Sequence, residues 1–425
     1  MNILFATWDG PQTDYLESLF LPIFAGLAQD NLRFHVLQFT WADDLRTSSL
    51  KSVCQRHGIG YLRRPVLRRP VAAGALASAL WGKFAVRRAV RDLGIDVVMA
   101  RSTLPALACM LAFRAPTPIR FVFDGDGLPH DERVDFGGWS PSGLSYRLLR
   151  DIEAQAVHRA DAVITRTRAG REILLARAGA GTSAVKFHVI GNSRDETLYY
   201  PHGAEHRRKT RQSLGIDTAA PVLVYSGSIG DQYCIAEMRT LFEAVRRTRP
   251  DASLLVLTGS PEAARQAFSV GPEAGPMIVR RVAPSAVPQY LGAADVALCL
   301  RRPALSTRAI SPVKLGEYLL CGLPVVVTRG IGDIDRLAGS DAIHFLDDLS
   351  LPALSAAAAW VSDTVLPNHA ALGHKSRELG LKHFALGAAL QGYKQALAYG
   401  DRAVETGTAD NPKSRPLPQR LRTID

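Results

Sequence analysis

Residues 309–328 read Ala-Ile-Ser-Pro-Val-Lys-Leu-Gly-Glu-Tyr-Leu-Leu-Cys-Gly-Leu-Pro-Val-Val-Val-Thr, a short helix marked at both ends and followed by an apolar strand. Ser311 suits an N-cap and Pro312 the first helical position; Gly322 suits the left-handed residue after the helix, and Pro324 stops it. The unpaired N–H groups near Ser311, Pro312 and Val313, together with the positive end of the helix dipole, favour an anion such as phosphate. Lys314 and Glu317, three residues apart, share one face and could serve a ligand or simply pair with each other. Just upstream, Arg301, Arg302 and Arg308 join Lys314 in a cationic set suited to a diphosphate or another acidic ligand.

Two other loops follow apolar runs in the same way. Gly227 and Ser228, after Val222–Ser226, would let a phosphate approach the backbone, or form an ordinary tight turn. Asp124-Gly125-Asp126-Gly127, with Glu132 beyond it, could orient sugar hydroxyls, hold a metal, act as acid or base, or serve only as turn chemistry. His130 has no second histidine at ligand spacing, so no transition-metal site is expected.

Elements must hold these loops in place. Short apolar runs at 2–7, 33–39, 58–62, 96–100, 119–124, 161–165 and 186–190 alternate with helical stretches. After a polar, Arg-rich joint at 201–213 the alternation restarts, with runs at 222–226, 253–258, 277–281, 296–300, 324–327 and 342–345. This pattern predicts an α/β chain of two doubly wound, Rossmann-like domains whose parallel sheets face each other across a cleft. The expected division is 1–195, 196–385, a helix at 386–400 that could return to the first domain, and an irregular tail at 401–425.

A length of 425 residues favours more than one domain, and 47% hydrophobic with 21% charged residues describes an ordinary globular protein. The formal charge of +11 calls for an anionic partner. Residues 1–195 hold 25 Lys plus Arg against 18 Asp plus Glu, or +7, concentrated in Arg56, Arg63, Arg64, Arg68, Arg69, Lys83, Arg87, Arg88 and Arg91. With Trp81 and Phe84 interleaved, attachment to anionic lipid competes with a solvated helix face. Five dispersed cysteines suggest buried thiols in a reducing compartment, no run is long enough to span a bilayer, and a cytoplasmic chain is expected. Nucleic acid is not an expected partner, since no reader motif accompanies the basic residues.

Taken with Asp295–Leu300 before it, the 311–328 stretch resembles the donor-binding signature of family 4 retaining glycosyltransferases of the GT-B fold, as found in bacterial surface polysaccharide assembly. Asp124–Trp139 resembles the acidic, glycine-rich loop of many members, and Val189–Asp195 with Tyr200-Pro201 the segment where their chains leave the first domain. The resemblance implies retaining, metal-independent transfer of a sugar from a nucleotide-diphosphate sugar, used as co-substrate without another cofactor, to a lipid-linked or saccharide acceptor. It implies that Glu317 binds the nucleotide ribose and that Ser311, Pro312 and Val313 meet the diphosphate and sugar. Gly227, Ser228, Arg302, Arg308 and Lys314 complete the expected donor side. Asp126, with Asp124 behind it, is the expected catalytic pair, and Gly10, Arg101 and Glu132 the acceptor side. Three positions depart from the family pattern: Ala309 stands where a second glutamate is usual, and Ser228 and Tyr233 stand where an Arg and a Lys clamp phosphate. The alternatives are a sugar-nucleotide epimerase of the same architecture and a non-catalytic nucleotide-sugar-binding scaffold.

Overall fold

A computed structural model describes residues 1–113, 117–268 and 277–407, the last nine of these by backbone only. Each apolar run becomes a strand: β1 (Asn2–Asp9), β2 (Arg33–Thr40), β3 (Gly60–Pro65), β4 (Val97–Arg101), β5 (Arg120–Gly125), β6 (Ala162–Thr165) and β7 (Phe187–Val189). They form a seven-stranded sheet in the order β3-β2-β1-β4-β5-β6-β7. The second series, β8 (Val222–Ser226), β9 (Ser253–Leu257), β10 (Met277–Arg280), β11 (Val296–Cys299), β12 (Val325–Thr328) and β13 (Ile343–Leu346), forms a six-stranded sheet, β10-β9-β8-β11-β12-β13. Every strand pairing is parallel; β1 and β2, for example, run in register from Asn2 beside Arg33 to Asp9 beside Thr40.

Parallel strands need helical crossovers, and these cover both faces of each sheet, which is why the strands are continuous apolar runs rather than alternating ones. On one face of the first sheet Phe5, Phe20, Phe24 and Phe34 pack together, with the Phe24 and Phe34 rings 4.2 Å apart. In both sheets the strand order reverses beside the first strand: between β1 and β4, and between β8 and β11. Crevices outside the carboxyl ends of strands at such reversals are where ligands bind in open parallel sheets. The expected two-domain architecture is therefore the observed one.

The last helix, Leu386–Gly407, lies on the first sheet, with Ala389, Tyr393, Ala396 and Leu397 buried in its core. Its backbone runs through 401–407 of the stretch expected to be irregular; residues 408–425 lie outside the described residues. All five cysteines are buried and unpaired. Among the described residues no helix is long and apolar enough to cross a membrane.

Candidate functional site

The helix of the 309–328 stretch starts one residue later than its sequence suggests. It spans Val313–Leu320, with Pro312 at the cap in an extended conformation (ψ 109°) and no side chain capping it. Ser311 is thus not the N-cap: its hydroxyl accepts from the Asn192 N–H at 3.1 Å and its carbonyl accepts from Asn192 Nδ2 at 2.7 Å, both contacts reaching the other domain's end segment. The far end is as the sequence indicates. Gly322 is left-handed (φ +75°), its N–H bonds the Leu319 carbonyl, and the Leu323 N–H bonds the Tyr318 carbonyl.

Lys314 and Glu317 do not pair with each other. The Lys314 ammonium donates to the Tyr225 hydroxyl at 2.8 Å and lies 4.3 Å and 4.2 Å from the ring centroids of Tyr225 and Tyr233. Arg301, on the loop after β11, stacks on the same Tyr233 ring at 4.8 Å and donates to its hydroxyl at 3.2 Å. Two cations therefore share one aromatic ring, and among the described residues neither has a carboxylate partner. Burial first, and then the Arg301 charge, bring the Lys314 amine down to about 7. Gly227 makes this possible: at φ +150°, a Cβ there would sit 2.2 Å from the Lys314 nitrogen. The other two cations diverge. The exposed Arg302 pairs with the half-buried Glu237 at 2.9 Å, and the Arg308 side chain is exposed while its carbonyl bonds Thr167.

Glu317 is 8% exposed and accepts from Arg194 Nε at 2.8 Å, while Arg194 also donates to the Ser18 carbonyl. Arg194 comes from the segment after β7, so the carboxylate expected to meet ribose also holds the two domains together.

At the first domain's reversal the polar groups neutralise one another. Arg101, ending β4, bonds Asp9 at 3.3 Å and also Asp126; Asp9 is held by Thr7 at 2.8 Å and Gln38 at 3.2 Å. Arg166 clasps both oxygens of Asp124 at 2.6 Å and reaches the Tyr393 hydroxyl at 3.2 Å. Asp124 is fully buried and cannot face a ligand, so of the expected pair only Asp126, whose side chain is 29% exposed, opens to the cleft. Asp124 holds Arg166 in place instead. His130 is buried against the Thr103 hydroxyl at 2.7 Å, and burial and the neighbouring Arg133 bring it down to about 4, so it is neutral near pH 7. Tyr15 bridges the two centres: its ring is 5.2 Å from the Arg101 guanidinium, and it lies within electrostatic reach of Asp126 on one side and of Tyr233 and Arg301 on the other.

Glu132 faces across the cleft as well, accepting from Gln232 Nε2 at 3.0 Å, and Asp135 accepts from the Ser306 N–H at 2.9 Å. The Asp135 bond, with that of the Thr167 hydroxyl to the Arg308 carbonyl, seats the 304–310 loop on the first domain. Ala309 is 2% exposed within the first domain's core, so close to Gly170 that a Cβ on that glycine would meet its Cβ at 3.2 Å. A glutamate at 309 has no room in this arrangement, which gives its absence a packing reason. Ser228 is exposed and its carbonyl accepts from the Tyr225 hydroxyl. Gly10, after β1, abuts the Trp41 ring, 2.8 Å from where its Cβ would be. Arg166, Arg194, Tyr15 and Tyr225 were not singled out for the site by sequence; only their tertiary partners reveal them. Among the described residues no group of three or more His, Cys, Asp or Glu is placed to hold a metal ion.

Residues 22–193 match the family described as glycosyl transferase 4-like domain. The alpha-maltose-1-phosphate synthase of Mycolicibacterium smegmatis is 28% identical over 210 residues, 49% of this chain and 50% of that protein. The chain thus spans about half the length of the curated relatives it matches. Among solved structures, Anabaena HepE in complex with UDP and glucose superposes with a TM-score of 0.63 at 16% identity, covering 96% of this chain and all (100%) of the other. A UDP-N-acetylglucosamine 2-epimerase, so described provisionally, from Listeria monocytogenes superposes with a TM-score of 0.59 at 15% identity, covering 98% and 100%. The fold is that of the GT-B glycosyltransferases, a fold the epimerase shares.

Proposed function

We propose that this chain is a retaining glycosyltransferase that moves a sugar from a nucleotide-diphosphate sugar, held by the second domain, to an acceptor held against the first. The observation that carries the reading is the convergence of Arg301 and Lys314, which among the described residues make no ion pair with a carboxylate, at the reversal between β8 and β11. Two unneutralised cations at the carboxyl edge of a parallel sheet suit a diphosphate. As the glycosidic bond to the diphosphate breaks, negative charge grows on the departing phosphate oxygen, and these cations, with the start of the Val313–Leu320 helix, stabilise it. The family matched by residues 22–193 and the UDP and glucose held by Anabaena HepE support a nucleotide-sugar donor. Glu317 takes the ribose in this reading, and Asp126 faces the acceptor hydroxyl. The acceptor is a lipid-linked or saccharide molecule of polysaccharide or glycoconjugate assembly, the transfer needs no metal, and the protein works at the inner face of the cytoplasmic membrane.

The epimerase neighbour supports a second reading, interconversion of nucleotide sugars. One assay separates them. Purified protein is incubated with a panel of nucleotide sugars, with and without an acceptor extract, and products are resolved by anion-exchange chromatography and NMR. Release of nucleoside diphosphate with transfer of the sugar supports the transferase, and the anomeric coupling of the product tests retention. A new epimer without release of the nucleotide favours the second reading, and binding without turnover overturns both.

A further inference from the structure

The β3 edge of the first sheet carries a surface that the donor site does not use. On the long helix Val71–Leu93, Leu80, Trp81 and Phe84 are exposed, Trp81 by 55% and Phe84 by 56%. Leu67, 51% exposed on the loop before this helix, has its carbonyl packed over Gly74 and its N–H bonded to Ser78 Oγ at 2.8 Å. Leu67 is thus held over the helix one turn before Trp81, which follows Ser78 at a spacing of three residues. Large aromatic and aliphatic side chains gathered this way on a surface mark an interaction site.

The charge around the patch identifies the occupant. Arg64 and Arg69 are exposed on the edge strand and its loop, Arg87 follows Phe84 one turn along the exposed stripe, and the Lys83 ammonium sits 5.0 Å over the Phe84 ring. Among the described residues these cations have no carboxylate partner, unlike Arg63, Arg88 and Arg91, which pair with Asp44 or Asp92. A second copy of the chain would bring arginine against arginine, whereas an anionic bilayer takes both the aromatic face and the cations. The patch is also continuous with the cleft: the Arg68 guanidinium stacks on Trp41 at 4.2 Å, and Trp41 packs on Gly10 at the end of β1.

We propose that Leu67, Leu80, Trp81 and Phe84 with their cationic rim seat the protein on an anionic lipid surface, and that its acceptor is an amphiphile in that surface whose head group enters the cleft past Trp41 and Gly10. The second half rests on the transferase reading; the docking surface does not. Seated this way, the molecule presents the cleft mouth to the bilayer edge, and the acceptor need not leave the membrane.

The test is co-sedimentation of the full chain with phosphatidylcholine vesicles with or without phosphatidylglycerol, at low and high salt, for the wild type and the double variant Trp81→Glu, Phe84→Glu. The wild type is expected to partition at least about tenfold better onto the anionic vesicles, with tryptophan emission shifted to the blue, and to lose this at high salt and in the double variant. Circular dichroism and nucleotide binding check that the variant folds, and Arg64→Gln with Arg69→Gln gives an independent loss through charge alone. Equal partition onto both vesicle types, or no difference between wild type and variants, overturns the docking surface, as does a dimer in analytical ultracentrifugation that the double variant converts to monomer. Sugar transfer to a lipid acceptor in vesicles should drop in the double variant while transfer to the same head group on a water-soluble chain stays unchanged; equal loss on both overturns the acceptor half. Vesicle binding without any sugar transfer would instead overturn the transferase reading and leave the docking surface standing.

Discussion

The two strand-order reversals are built alike and charged differently. In the first domain, Arg101 at the end of β4 and Arg166 after β6 are matched by Asp9, Asp124 and Asp126. In the second, Arg301 after β11 and Lys314 at the start of the following helix have tyrosine rings for company and, among the described residues, no carboxylate in ion-pair contact. A cation already paired in the folded protein offers a ligand little, because binding must compete with the existing carboxylate. A cation held only against aromatic faces gains its counter-ion from the ligand. The first centre thus suits a neutral, hydroxyl-bearing partner, and the second an anion.

Several measurements can break or sharpen that contrast. Asp124→Ala leaves the buried Arg166 with only its longer pair to Asp126, at 3.6 Å, and should cost about 3–5 kcal/mol, read as a large fall in the denaturant midpoint; a loss under about 1 kcal/mol would mean that the first centre is not held by the Asp124 pair. Lys314→Met should leave the fold intact and lower kcat/KM for the donor about 10²–10³-fold, with Arg301→Met next in size. Glu317→Ala removes the partner of the buried Arg194 and should destabilise by about 2–3 kcal/mol while weakening nucleotide binding in calorimetry; unchanged nucleotide affinity would refute the ribose role.

Lys314 also predicts a pH dependence. With its amine at about 7 in the free protein, binding a diphosphate restores the charged form, so binding takes up a proton above that pH. Donor affinity should then fall by up to about tenfold per pH unit as pH rises from about 7, and Lys314→Met should abolish that slope; calorimetry in buffers of different ionisation heat reads the proton directly. The smallest effect belongs to the exposed Arg302, whose partner is the half-buried Glu237: Arg302→Ala should cost no more than about 1 kcal/mol and leave donor affinity unchanged. A loss as large as that of Lys314→Met would place the diphosphate elsewhere.

Local pattern determined a great deal. The thirteen strands of the described residues lie where the runs were read, within a few residues, because a strand buried on both faces needs an uninterrupted apolar run; the edge strand β3, exposed from Leu62 to Pro65, overlaps its run only at residues 60–62. The 311–328 helix was legible for the same reason, and its Gly322–Leu323 end is dictated by backbone conformation. Partner choice was not legible. Sequence spacing suggested that Lys314 faces Glu317, caps the helix with Ser311, and groups Arg302 and Arg308 with Lys314; in the folded chain Tyr225 and Tyr233 take the lysine, Arg194 takes the glutamate, Asn192 takes the serine and Glu237 takes Arg302. Each of those partners lies tens of residues or more from the group it binds, and the electrostatic and packing energies that select it depend on distances only the assembled domains set. Sequence fixed which residues could carry charge at the ends of strands; tertiary structure decided which charges were cancelled and which were left for a ligand.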